Sequence, residues 1–194
     1  MNAEILVFEG FDELDAIGPF EVIRAARAVG GTADATLVTH GAVDSVEANH
    51  GARMQPHGRL GETSPDVLVV PGGGWNDRSS AGAWTEYERG TIPGAIADLH
   101  TDGVTVASVC TGGMLLSKAG LLAGRPATTH HGALSDLRAT DADVREERVV
   151  DDGDVLTAGG VTAGIDLALH LVERECGRDV ADAVAAELEY ERVI

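Results

Sequence analysis

Residues 104–113 read Val-Thr-Val-Ala-Ser-Val-Cys-Thr-Gly-Gly, a β-branched run that drops into a cysteine and then into small residues. Ser108 lies two positions before Cys110 and Gly112 two positions after it, the small-x-nucleophile-x-Gly spacing of a nucleophile elbow with cysteine in place of serine. A sharp strand-to-helix turn crowds its flanks, so only small residues fit beside the nucleophile. Such a turn lifts its side chain off the carboxyl end of a sheet and sets it near a helix N-terminus. There the dipole is expected to favour the thiolate of Cys110. Cys176 has no such context and reads as a packed hydrophobe. Two cysteines form neither a disulfide framework nor a metal-ligand cluster.

The rest of the chain alternates in the same way. Strands are expected over residues 4–8, 35–39, 66–70, 104–109 and 127–129. Helices are expected over 20–29, 92–99, 111–119, 132–137, 162–176 and 180–190. Segments 144–150 and 155–157 flank Asp151-Asp152-Gly153-Asp154 and read as a hairpin. With 194 residues, the pattern predicts one α/β domain, a three-layer α/β/α doubly wound, mostly parallel sheet. Such sheets bind ligands beyond the carboxyl ends of their strands. Two glycine-rich strand ends, after Val70 and at Cys110, therefore point to one crevice. Trp75, Trp84 and Tyr87 lie in or beside the loop 76–90, which is suited to covering it.

Gly72, Gly73 and Thr111 are candidates for an oxyanion hole, because glycines at a strand end let amides approach a ligand and the Thr111 amide opens a helix. A plain tight turn is the alternative for the glycines. The Thr111 hydroxyl could position water. His40, His50, His57 and His100 are scattered without ligand spacing, so no metal is expected. The glycine clusters lack the Lys-Ser/Thr ending of a phosphate-binding loop.

The formal net charge is −18, and 13 of the 14 basic residues are arginine, Lys118 being the exception. The acids are spread from Glu4 to Glu191, which reads as adaptation of the whole surface to high salt rather than as one face for a basic partner. Nothing here would neutralise phosphates, so nucleic acid is not an expected partner. The N-terminus shows no basic segment followed by an apolar one, and no apolar run approaches the ~18 residues of a membrane span. The expectation is a cytoplasmic protein with no membrane partner.

Several segments together resemble the ThiJ/PfpI superfamily, which includes parkinsonism-associated deglycases, PfpI-type proteases and isonitrile hydratases. They are Leu14-Asp15-Ala16-Ile17-Gly18-Pro19-Phe20-Glu21-Val22, Asp66-Val67-Leu68-Val69-Val70-Pro71-Gly72-Gly73-Gly74, the Cys110 elbow with Ala119-Gly120-Leu121-Leu122-Ala123-Gly124, Thr128-Thr129-His130, and Thr157-Ala158-Gly159-Gly160 with Gly164-Ile165-Asp166-Leu167-Ala168-Leu169. The resemblance covers essentially all of residues 1–194, in order, as a single domain with a class I glutamine amidotransferase-like (flavodoxin-like) fold. The Leu-Asp-x-x-Gly-Pro segment and the Cys-Thr-Gly elbow most resemble the isonitrile hydratase branch, although His131 stands where that branch often carries Trp.

The resemblance implies Cys110 as nucleophile, with Asp15 beside it as acid/base partner and Thr111 and His130 as further catalytic residues. A helix N-cap remains the alternative for Asp15, and a hydrogen-bonded core histidine for His130. Asp12 and Glu13 read as solvated. The implied activity is cofactor-free hydration of an isonitrile to an N-substituted formamide, on a small-molecule substrate and in a homodimer. The alternatives are a glyoxalase, deglycase, amidase or protease-type reaction of the same thiol, or a redox-responsive protein that turns nothing over.

Overall fold

A computed structural model describes residues 1–193. The strands are β1 Asn2–Leu6, β2 Asp34–Thr39, β3 Val46–Glu47, β4 Arg53–Met54, β5 Gly58–Arg59, β6 Val67–Val70, β7 Thr105–Ser108, β8 Pro126–Ala127, β9 Asp143–Val144, β10 Val149–Asp151 and β11 Val155–Ala158. The α-helices are α1 Glu13–Ala28, α2 Ala83–Arg89, α3 Thr91–Thr101, α4 Gly112–Lys118, α5 Leu134–Arg138, α6 Ala163–Cys176 and α7 Arg178–Glu187.

Seven strands form one sheet in the order β10-β11-β7-β6-β1-β2-β5, and every pairing is parallel except β10 with β11. The central strands read as continuous apolar runs because both faces are covered. Val67, Leu68, Val69 and Val70 of β6 are all buried. Helices α1, α6 and α7 pack together on one side, and α2, α3 and α4 on the other. This is the three-layer, doubly wound architecture expected. The chain runs outward from β1 to β2 and returns to β6 on the other side of β1, so the winding reverses between β1 and β6. A crevice opens at such a reversal, beyond the carboxyl ends of the strands.

The first helix begins seven residues earlier than expected. Asp12 caps it, its side chain accepting from the Leu14 amide at 3.1 Å. Pro19 therefore sits inside the helix, where it removes the hydrogen bond to the Asp15 carbonyl. Burial of Pro19 offsets that loss: a Cβ on Gly164 would stand 3.3 Å from its ring, so α1 and α6 meet closely here. The strand expected over 127–129 is the shorter β8. The helix expected over 132–137 is a 3₁₀ turn, His131–Ala133, leading into α5. The hairpin over β10 and β11 forms as expected, with Gly153 at φ 85°. The antiparallel pair β3–β4 and the edge strand β5 carried no clear periodic signal.

The segment after Trp75 is a packed element rather than an open flap. It contains α2, and Trp75 lies edge-on to Trp84 and to Tyr87, both at 5.2 Å between ring centroids. Arg78 covers Trp84 at 3.8 Å, and Lys118 lies over Tyr87 at 4.7 Å. The Trp75 indole N–H donates to Asp136 at 2.7 Å.

Candidate active site

Strand β7 runs through Val109 into Cys110, which adopts φ 57° before α4 begins. A left-handed conformation is unfavourable for a non-glycine residue and persists only where its surroundings over-determine it. The Cys110 amide donates to the Ala158 and Gly159 carbonyls at 3.1 and 2.8 Å, and its carbonyl accepts from Thr129 Oγ1 at 2.8 Å. Gly112 lets α4 start against the end of β6, since a Cβ there would stand 2.2 Å from the Val70 carbonyl oxygen. The elbow expected from the small residues around Cys110 is thus formed.

The glycines after β6 do something other than expected. The Gly72 amide donates to Asp15 Oδ2 at 2.9 Å, and the Gly73 amide donates to Thr111 Oγ1 at 3.0 Å. Both amides proposed as oxyanion donors are committed within the protein. Gly72 is needed for close approach, because its Cβ would lie 2.3 Å from Thr111 Oγ1. Having accepted from Gly73, the Thr111 hydroxyl keeps its own proton to donate. The amides directed at the Cys110 sulfur are those of Val161 and Thr111. Val161 is itself a β-branched residue at φ 34°, a second strained position at the site.

Asp15 is fully buried. Its Oδ1 has no partner of hydrogen-bonding geometry among the described residues, although the carboxyl interacts with the Cys110 thiol. Burial, reinforced by the charge of Asp12, raises its pKa to about 8, against the opposing pull of the Gly72 amide and the thiol. The carboxyl therefore holds a proton at neutral pH. Asp15 is not the helix cap, a role taken by Asp12.

Cys110 is only 6% exposed, and burial followed by the Asp15 charge pushes its thiol up to about 12. This corrects the expectation of a dipole-stabilised thiolate. Helix α4 is only seven residues long, and desolvation outweighs its field. The two groups behave as a coupled pair. When the proton resides on Asp15, the repulsion that raises the thiol disappears, while the Val161 and Thr111 amides remain to hold a thiolate.

A cavity of about 250 Å³ opens over Cys110, and Thr111, His130, Val161 and Asp12 line it. Asn49, Asn76 and Asp77 also line it, and all three are exposed. His130 Nδ1 accepts from the Gly132 amide at 3.1 Å, which leaves the ring proton on Nε2. Burial and the neighbouring His131 lower its pKa, so it is a neutral donor. No carboxylate among the described residues pairs with it and its ring makes no hydrogen bond to the thiol, so no Cys-His-Asp triad is assembled. His131 is exposed and turns to a neighbouring depression that contains Arg148. A wider depression of about 730 Å³ lies at the amino ends of the strands, between Met1, Asp66 and Val104, and is lined by neither cysteine nor histidine.

The site thus unites Cys110, Asp15, Thr111 and His130. Sequence reasoning read Asp12 as solvated, whereas it caps α1 and lines the cavity, and it overlooked Asn49, Asn76 and Val161. Only Val161 carried a signal, the Gly159-Gly160 pair before it. Glu13 is also engaged: its carboxylate accepts from the His50 amide at 2.8 Å and the Ala52 amide at 3.3 Å, tying down the segment that carries Asn49.

A buried thiol on a left-handed elbow at the sheet's winding reversal, backed by a proton-holding carboxyl, defines a cysteine-elbow α/β protein. The chain belongs to the DJ-1/PfpI family, whose pattern matches residues 1–174. It is 36% identical over 190 residues to an isonitrile hydratase of Pseudomonas putida, covering 95% of this chain and 76% of that one. It is 28% identical to the Parkinson disease protein 7 homolog of Danio rerio, over 96% of both chains. A ThiJ/PfpI family protein from Pseudomonas syringae superposes with a TM-score of 0.84 at 26% identity, covering 100% of this chain and 76% of that one.

Proposed function

We propose that the protein is a cofactor-free, cysteine-dependent enzyme that hydrates a small isonitrile to an N-substituted formamide. The observation that carries this reading is the pairing of the Cys110 thiol with a buried carboxyl that keeps its proton at neutral pH. Similarity to an isonitrile hydratase along nearly the whole chain supports the choice of substrate.

In this reading the pair reacts from the state in which the thiol proton has left to solvent and Asp15 keeps its own, so that the Cys110 thiolate attacks the terminal isonitrile carbon. A C–S bond forms, and the Asp15 proton passes to that carbon, leaving a thioimidate and the Asp15 carboxylate. Water then adds to the same carbon. Asp15 takes the water proton and delivers it to nitrogen, while the Thr111 hydroxyl orients the oxygen. Collapse of the adduct breaks the C–S bond. The hydroxyl proton returns to Asp15, and the formamide leaves the regenerated thiolate. The Thr111 and Val161 amides stabilise the sulfur as charge returns to it.

The test is incubation with a simple alkyl isonitrile, with the formamide followed by NMR and the quenched protein by intact mass. Turnover with a transient adduct on Cys110, abolished in Cys110→Ala, is expected. Full activity in Cys110→Ala, or no formamide from any isonitrile, would overturn the reading.

A further inference from the structure

We propose that the Cys110 cavity sorts small electrophiles by charge, admitting neutral and cationic molecules and turning away those that carry a carboxylate. As a statement about substrates it rests on the reading above; as a property of the cavity it stands on the side chains alone.

The charged side chains that line the cavity are Asp12 and Asp77. None of the 13 arginines lines it, and neither does Lys118. Each arginine is instead paired with a carboxylate elsewhere. Arg78, close in sequence, is held over Trp84 and bonded to Asp136 at 3.1 Å. Arg148 opens onto the neighbouring depression and bonds Asp166.

Asp12 makes no salt bridge among the described residues; His50, a protonatable group that feels its charge, is paired with Glu13 at 2.8 Å. One oxygen of Asp12 caps α1, and its charge reaches Cys110, Asp15 and His130 alike. His130 is neutral and offers no counter-charge. The remaining polar side chains include Asn49, Asn76 and Thr111, which are uncharged. The Thr111 and Val161 amides serve the sulfur rather than a distant substituent. A bound electrophile therefore lies beside two carboxylates, Asp12 half-buried and Asp77 exposed, with no arginine or lysine on the cavity wall. Like charges there are costly and opposite charges favourable.

The test uses three small methanethiosulfonates, neutral, trimethylammonium-bearing and sulfonate-bearing. Each transfers its thioalkyl group to the Cys110 sulfur with loss of methanesulfinate. Rates are measured on Cys176→Ser protein, so that one thiol reports, and are divided by the rates on a free model thiol. The cationic reagent is expected to exceed the anionic one by about tenfold or more. The ratio is expected to fall several-fold in Asp77→Asn and in Asp12→Asn, each checked for retained melting temperature. A normalised ratio near one, or a ratio that both variants leave unchanged, overturns the proposal; in the latter case the overall charge of −18 is responsible.

A matched panel of neutral, cationic and carboxylate-bearing isonitriles extends the test to turnover. Selective labelling without hydration of any isonitrile refutes the reaction and leaves the charge selection standing. Hydration of all three at equal kcat/KM refutes the selection and leaves the reaction standing.

Discussion

The Gly72 amide donates to Asp15 Oδ2 across 2.9 Å, joining residues 57 positions apart. This bond occupies one oxygen of a buried carboxyl and leaves the other free to interact with the Cys110 thiol. When Asp15 does ionise, its charge opposes ionisation of the sulfur.

Asp15→Asn removes the charge that opposes ionisation of Cys110. The apparent pKa of alkylation is expected to move down by ~1 unit or more, while hydration of an isonitrile is lost for want of the proton. A thiol that titrates at the same pH in both proteins would uncouple the two residues.

The raised Asp15 pKa also makes stability depend on pH. In the unfolded chain this carboxyl ionises near its ordinary 3.8, whereas in the folded protein it keeps its proton up to about 8. Between these values the unfolded state has fewer bound protons, so the contribution of Asp15 to stability declines as pH rises. Urea unfolding from pH 4 to 8 should show this decline relative to Asp15→Asn. Parallel curves for the two proteins would contradict it.

Gly112→Ala places a methyl group 2.2 Å from the Val70 carbonyl oxygen, a backbone atom with no room to rotate away. The expected cost is about 2–3 kcal/mol, with the Cys110 elbow displaced. Thermal unfolding together with Cys110 labelling would reveal both effects.

Arg148 braces the loop that presents the Val161 amide. Its Nε donates to Asp166 and its Nη2 to Thr162 Oγ1 at 3.2 Å, while its carbonyl accepts from the Gly159 amide at 2.9 Å. Arg148→Met leaves the carboxylate of Asp166, which is only 1% exposed, with the Tyr190 hydroxyl at 2.9 Å and no counter-charge. A loss of about 3 kcal/mol is expected, the low end for breaking a buried pair, since the Arg148 side chain is 33% exposed. Calorimetry measures the loss. A kcat that falls more than KM rises, partly restored in Arg148→Lys, would separate positioning of the amide from simple destabilisation.

Net charge −18 with every arginine already paired leaves a surplus of acid over the whole surface. The melting temperature is expected to rise between low and multimolar salt as that repulsion is screened. A melting temperature indifferent to salt would remove the case for a halophilic protein.

Much of this architecture was legible because its signals are local. The β-branched run into Cys110 required a strand, and the small residues after it required a crowded turn. The glycines after Val70 marked a second strand end at the same crevice. What escaped were relationships between distant segments. Nothing near Gly72 or Gly73 reveals that Asp15 and Thr111 take up their amides. Gly18-Pro19 looked like a helix start because the proline's tolerance depends on Gly164 in another helix. The thiol's protonation could not be read from the elbow either, since burial opposes the helix field and only the folded environment decides between them.

Lys118 provides a spectroscopic use for the aromatic cluster. It is the only lysine, it is exposed, and it closes the short helix that begins beside Cys110. Its ammonium lies 4.7 Å from the Tyr87 ring, within the cluster that contains both tryptophans of the chain. An amine-reactive acceptor dye has only the terminal amine as a competing target. The unaltered protein thus carries a ready donor–acceptor pair, with Trp75 on the cavity wall as one donor, able to register a ligand's arrival over Cys110 as a change in emission.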